Sequence, residues 1–317
     1  MKTRYTWCAL AILAGAIVTC SCEKPSAAKP DHVPEEQPEP TPEPPAEEEE
    51  EPATAWLELP AVTGNEDHVG TFYAGEETGE NRNYSYCYDT GLYSSLWTAW
   101  PLYKDAMGSE KRPDDWSWNP QLPSDQQIDV CNHSYGVDYE GDINSTIYSR
   151  GHQIPNGDRN GSKEMQLQTF YVTNSTPQIQ DHFNGGIWQK LEQALQDMAK
   201  ASESDTLYIA TGPVFTTVGG DEEVQWIQPR DDEKQAPVPN YYWKAVLKVK
   251  RSGDDITEAS AIGFWFEHRQ YGDSYDKHAV SVDFIEEKTG LDLFAALPDE
   301  LESGAEAADD WDSFRNF

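Results

Sequence analysis

Between residues 23 and 55 proline alternates with glutamate (Pro34-Glu35-Glu36, Pro38-Glu39-Pro40, Pro42-Glu43-Pro44-Pro45), and residues 47–51 are all glutamate. No other feature limits the fold as much. Proline favours extended polyproline II, and like charges stretch a chain further. A segment with so little apolar surface cannot offset the entropy of ordering itself. The tract reads as a spacer, so a core can form only from residues on either side of it.

On its N-terminal side stand residues 1–22. Lys2 and Arg4 precede a short apolar run over residues 8–19, too short for a spanning helix and typical of a secretory signal. The run closes on Ile17-Val18-Thr19-Cys20-Ser21-Cys22. This resembles a bacterial lipobox, whose cysteine becomes the lipidated first residue of the mature chain. Cys20 has the better apolar residue three positions before it, and Cys22 the better small residue one position before; we take Cys20. The expectation is a membrane contact through an N-terminal lipid anchor, with the chain in the cell envelope, in the periplasm or on the outer-membrane surface. A plain cleaved signal or an uncleaved anchor is the alternative. Beyond the signal only Cys87 and Cys131 remain. In an oxidising compartment they could pair, or both could be buried thiols; they lack the CxxC spacing of a zinc site.

Residues 56–317 are left for one folded domain. The chain holds 11 Trp, 16 Tyr and 10 Phe, enough aromatic surface for a packed core. Its formal net charge is −34, and the domain stays acidic once the spacer is set aside. Proteins that coat nucleic acid gain affinity by neutralising phosphates with Lys and Arg. That class is disfavoured here, and any encounter with a polyanion must be confined to a local site with a metal. Up to about residue 145 the composition suggests short strands and long loops. Apolar runs then predict strands at 165–174, at 207–215 (ended by Gly212-Pro213), at 241–249 and at 259–266. Ile187, Leu191, Leu195 and Met198 fall on one helical face. Residues 280–288 have helical spacing closed by Gly290, and the acidic end at 301–312 reads as frayed. This order predicts a mixed α+β domain.

Three central segments carry the chemistry: Tyr148-Ser149-Arg150-Gly151-His152-Gln153-Ile154-Pro155, then Thr169-Phe170-Tyr171-Val172-Thr173-Asn174-Ser175-Thr176-Pro177-Gln178, then Phe183-Asn184-Gly185-Gly186-Ile187-Trp188-Gln189-Lys190-Leu191-Glu192. Glycine between Arg150 and His152 lets the backbone turn and approach a ligand closely. A guanidinium suits phosphate oxygens. A neutral imidazole can take a proton from water, and a cation beside it favours the neutral form. Arg-Gly-His alone is also an ordinary loop tripeptide. Asn184 and Glu192 are separated by roughly 12 Å of helix, so they could share only a hydrated ion, bound directly by Asn184 with Glu192 holding one of its waters. Magnesium keeps several waters and accepts few protein ligands. The alternatives are a helix N-cap at Asn184 and a solvated charge at Glu192.

In this order and spacing the three segments resemble the DNA/RNA non-specific endonuclease family, whose metal site is a ββα-metal finger. The family pattern is Asp-Arg-Gly-His, then a Thr-Asn-x-x-Pro-Gln turn, then Asn-x-Gly-x-Trp-x-x-Leu-Glu on a helix. Further matches lie at Arg82-Asn83-Tyr84-Ser85, Trp97-Thr98-Ala99-Trp100, and residues 208–215, 238–244 and 281–298, so the resemblance spans about 82–301. It implies a ββα-metal nuclease fold with a central, mostly antiparallel sheet flanked by helices. It implies metal-dependent hydrolysis of phosphodiester bonds in DNA and RNA, leaving 5′-phosphate ends. His152 would be the general base. Asn184 would be the direct ligand of magnesium, with manganese as the alternative, and Glu192 would bind through water. Arg150 would sit by the site as a positive structural or phosphate-facing group, Asn174 would hydrogen-bond within the site, and Arg112 would stabilise charge on phosphorus. No protein partner is evident.

The departures are specific. Ser149 stands where the family has Asp, the segment 179–183 is about one residue longer than the common spacing, and the acidic surface weakens long-range attraction for nucleic acid. Ser149 and the acidic surface motivate a rival, a surface lipoprotein that keeps the nuclease fold with weak or no activity and binds nucleic acid or glycan instead. His68, His133, His182, His268 and His278 show no ligand spacing and read as ordinary side chains.

Overall fold

The computed structural model describes residues 56–61, 68–75, 81–113, 115–136, 148–201 and 206–317. The signal segment, Cys20, Cys22 and the spacer lie outside the described residues. Among the described residues no helix is long and apolar enough to cross a membrane. Along the chain come β1 (His68–Tyr73), β2 (Arg82–Asp89), β3 (Ser94–Leu102), β4 (Tyr148–His152), α1 (Lys163–Gln168), β5 (Ser175–Ile179), α2 (Gln189–Ala201), β6 (Leu207–Val214), β7 (Gln225–Ile227), β8 (Ala236–Val238), β9 (Tyr241–Ser252), β10 (Asp255–Glu267), β11 (Ala279–Val280), α3 (Val282–Thr289), α4 (Asp299–Glu306) and α5 (Trp311–Arg315). Seven strands form one sheet in the order β1-β2-β3-β6-β9-β10-β11, antiparallel at every step. The expected α+β fold with an antiparallel sheet is present.

The interior strand β9 explains how the layers form. It reads Tyr-Tyr-Trp-Lys-Ala-Val-Leu at its start, without polar alternation, because both faces of the sheet are covered. On one face Tyr84, Trp100, Ile209, Tyr242 and Val246 pack with Leu191, Leu195 and Ala199 of α2. On the other, Trp97, Ala210, Trp243, Ala245 and Leu247 pack with Val282 and Ile285 of α3 and with Leu293, Phe294 and Leu297 beyond it. Each leucine so buried contributes roughly 2 kcal/mol. Ser281 caps α3 by accepting a bond from the Phe284 amide, and Gly290 closes it with a left-handed φ of 73°, as its position after the helical run predicts.

Three expectations need correction. Residues 165–174 are not a strand. Ser162 accepts a bond from the Met165 amide and caps α1, whose Lys, Glu, Met, Gln and Leu are good helix formers; the strand follows as β5. Gly212-Pro213 does not end β6, which continues to Val214. A side chain at 212 would collide with the Leu96 carbonyl, so glycine is there for close packing. The pairing of β6 with β3 stops at Thr211, so the missing N–H of Pro213 leaves no broken ladder on that side. The C-terminal end is not frayed: α4 packs on β10, and α5 buries Trp311 and Phe314 against the α2 face of the sheet. No disulfide forms at the two cysteines: Cys87 is a buried thiol of the sheet core and Cys131 is half-buried.

Candidate functional site

Between β3 and β6 the chain inserts a strand pair, β4 and β5, and the helices α1 and α2. β4 and β5 run antiparallel with Ser149 opposite Gln178 and His152 opposite Ser175. The link to α2 leaves helical geometry at Asp181, at His182 (φ 63°), and at Gly185 and Gly186. Asn184 therefore stands in this irregular link, five residues ahead of α2, and is not its N-cap. A cleft of about 390 Å³ opens between these elements, and Arg112, Arg150, His152, Asn184 and Glu192 all line it. Asn174 does not. It is 1% exposed, accepts a bond from the Ile154 amide (3.1 Å) and donates to the carbonyls of Ile154 (3.0 Å) and Thr169 (2.8 Å). It staples the chain just beyond His152.

The His152 ring sits 4.7 Å from Trp116 and 5.0 Å from Phe170 between centroids. Burial, then the Arg112 and Arg150 charges, push its pKa down to about 3, against a backbone hydrogen bond at Arg150. The imidazole is therefore neutral near pH 7, and its Nε2 has no hydrogen-bond partner. Both guanidiniums lie over aromatic rings, Arg112 at 5.1 Å from Phe170 and Arg150 at 5.0 Å from Trp116. Arg150 also donates to the Val130 and Cys131 carbonyls, each at 2.9 Å, which orients its fork. Gly151 serves a different purpose from the one expected. A Cβ there would collide with the Gln178 side chain, so the glycine admits a neighbouring strand and not a ligand.

Asn184 donates through Nδ2 to Ser149 Oγ (2.8 Å) and Gln180 Oε1 (3.1 Å). With both amide hydrogens used, Oδ1 is the atom left to accept a cation. Ser149 in turn donates to the Gln178 carbonyl at 3.1 Å. The serine in the expected acid position thus holds the candidate ligand directly. Glu192, in the first turn of α2, is driven toward its neutral form by burial and drawn back by Lys244. That lysine is 1% exposed, lies 4.6 Å from the Trp188 ring and 5.0 Å from Trp100, and its Nζ has no hydrogen-bond partner. Asp158, the second acid acting on Lys244, accepts from Trp100 Nε1 (2.9 Å) and Gln196 Nε2 (2.8 Å). An amide oxygen and a carboxylate around an open cleft fit a hard, partly hydrated cation such as magnesium.

Sequence reasoning missed this inner layer. Lys244 is a single charge in an apolar run, a signal that was present; Asp158 carried none. Gln189, Gln193 and Gln196 also line the cleft, and their helical spacing alongside Glu192 marks the wet face of α2. His268 is structural: it accepts from the Ile179 amide (2.9 Å) while Nδ1 meets the Pro239 carbonyl (2.8 Å).

A family model described as DNA/RNA non-specific endonuclease matches residues 67–300. The chain is 26% identical over 223 residues to "Nuclease 1, mitochondrial" of Schizosaccharomyces pombe, covering 69% of this chain and 66% of that protein. It is 26% identical over 208 residues to "Nuclease" of Serratia marcescens, covering 65% and 71% respectively. It is 26% identical over 251 residues to "Nuclease EXOG, mitochondrial" of Danio rerio, covering 74% and 67%. The chain thus spans about two thirds of the length of these relatives. The solved EndoG/EndoGI complex shares the fold, with a TM-score of 0.57 and 17% identity over 78% of this chain and 92% of that one.

Proposed function

The chain belongs to the DNA/RNA non-specific endonuclease family, and from that premise we propose that it hydrolyses phosphodiester bonds of DNA and RNA in the cleft between β4 and α2. One observation carries the reading. A neutral imidazole lines one cleft with two guanidiniums and an amide oxygen whose own N–H groups are tied back, and its Nε2 is buried without a hydrogen-bond partner. That is a proton acceptor, an anion-binding pair and a cation ligand around one opening.

His152 takes a proton from the attacking water at Nε2, and its burial and the flanking cations keep it in the accepting form. Arg112 and Arg150 hold the scissile phosphate through its oxygens, and the aromatic rings beneath them limit their rotamers. Asn174 keeps the backbone after His152 in place. Asn184, and Glu192 through water, are the residues that would hold magnesium, with manganese as the alternative. Bound there, the ion would supply Lewis-acid stabilisation of charge on the phosphate. The hydrogen bond from Asn184 to Ser149 supports the active reading over the inactive-lipoprotein rival.

The test uses the full chain with plasmid DNA and with RNA, in magnesium and in chelator, beside His152→Ala. Metal-dependent cutting of both substrates that disappears in the variant is expected. A wild type inert toward both would overturn the reading. For the N-terminal segment, the lipobox supports a lipid anchor at Cys20. Cys20→Ala should then move the protein from the membrane fraction to the soluble one; release by Cys22→Ala alone would shift the anchor to Cys22.

A further inference from the structure

Glu306, the last residue of α4, is only 3% exposed, and its Oε1 has no hydrogen-bond partner. It points at α3. One oxygen each from Glu306, Asp283 and Glu286 lie within 4.8 Å of one another. The Leu293 amide donates to Glu286 Oε1 at 2.7 Å and ties the turn after α3 to the same group. After burial, the largest influences on Glu306 are four more carboxylates, Glu286, Glu302, Asp283 and Asp292, and together they push its pKa up to about 9. No cation stands among these influences. An unpartnered carboxylate in such a place must take either a proton or a metal ion. The α3 helix covers the sheet face opposite α2, so this cluster is separate from the nuclease cleft.

We propose that Asp283, Glu286 and Glu306 form a second cation site, selective for calcium, that fastens α4 to α3. The donors are all oxygens, as a hard cation requires. Calcium–oxygen bonds run at about 2.4 Å and magnesium–oxygen bonds at about 2.1 Å. Three carboxylates converge here within 4.8 Å of one another. Calcium takes about six to eight oxygen ligands in flexible geometry, whereas magnesium keeps most of its waters and is held by one or two carboxylates, so the set suits the larger ion. Asp283 is exposed and gives the ion its entrance, while Glu306 closes the inner side. The ion would contribute stability to the C-terminal layer and take no part in phosphate chemistry.

The experiment melts the full chain after metal is stripped with chelator, in an Asn184→Ala background so that the cleft contributes nothing. Calcium chloride is expected to raise the melting temperature by about 5 °C, and magnesium chloride by clearly less. The calcium gain should vanish in Asn184→Ala/Glu306→Gln. It should vanish also in Asn184→Ala/Asp283→Asn, where the change is on an exposed side chain and leaves the core packing intact. No calcium-dependent rise, an equal rise with magnesium, or a rise that persists in both double variants would overturn the site. Each of these outcomes is independent of whether the cleft cuts nucleic acid.

Discussion

At Asn184 two hydrogen bonds, to Ser149 Oγ at 2.8 Å and Gln180 Oε1 at 3.1 Å, hold the amide nitrogen and leave Oδ1 as the free acceptor. Ser149→Ala should raise the magnesium needed for half-maximal cleavage by about tenfold, the usual cost of losing an outer-shell partner, with little change at saturating metal; Ser149→Asp should keep the wild-type requirement. His152 has its pKa lowered to about 3, so the accepting form is complete at neutral pH and lost only as pH falls through that value. An NMR titration of its imidazole should therefore show no step near 6.5, and Arg112→Gln should move the step upward. Asn174→Ala removes three bonds and strands the Ile154 and Thr169 groups. It should cost about 3 kcal/mol in urea denaturation, and with it the placement of His152. The identities of these residues were visible in the Arg-Gly-His and Thr-Asn motifs. The role of Asn174 as a staple off the cleft was not, because it depends on a strand turn 20 residues away.

At the scale of elements, α2 was legible because Leu191, Leu195 and Met198 recur at helical spacing, although Ile187, the first of the expected set, lies in the irregular link ahead of the helix. α1 was not, since Met165, Leu167, Phe170 and Val172 suit either period and the Ser162 cap decided between them. Lys244 lies on the sheet face that α2 covers, against Trp100 and Trp188, and its ammonium balances Glu192 and Asp158. Lys244→Met should destabilise the protein by about 3 kcal/mol, the scale for stranding buried charge. The loss should be larger at pH 9 than at pH 6. Burial raises the pKa of both acids, so at lower pH they can protonate and no longer need the lysine. Denaturant midpoints for wild type and variant at the two pH values check the sign.

Across the whole molecule, a net charge of −34 opposes any approach of a polyanion. The cleft inverts this locally, with Arg112 and Arg150 as its cations and Glu192 as its acid. The repulsion is long-ranged and screened within about 10 Å at 0.1 M salt, whereas contacts inside the cleft are screened much less. Cleavage of DNA at low substrate should therefore speed up as ionic strength rises from about 10 to 100 mM, the reverse of a basic nuclease. A rate that falls steadily over that range would show that attraction at the cleft already controls the encounter.

By itself the sequence determined where a core could form, the α+β class, and the residue types that meet in the cleft. Those follow from local composition, from hydrophobic period and from an ordered motif, none of which needs a partner distant in the chain. Only the tertiary structure decided that Ser149 would aim Asn184, that Gly151 makes room for Gln178, that Lys244 sits beneath Glu192, and that Glu306 is pressed into a nest of acids. Each of these depends on which strand or helix lies across from the residue, and on how far water is kept out, and neither quantity is written in a residue's immediate neighbours.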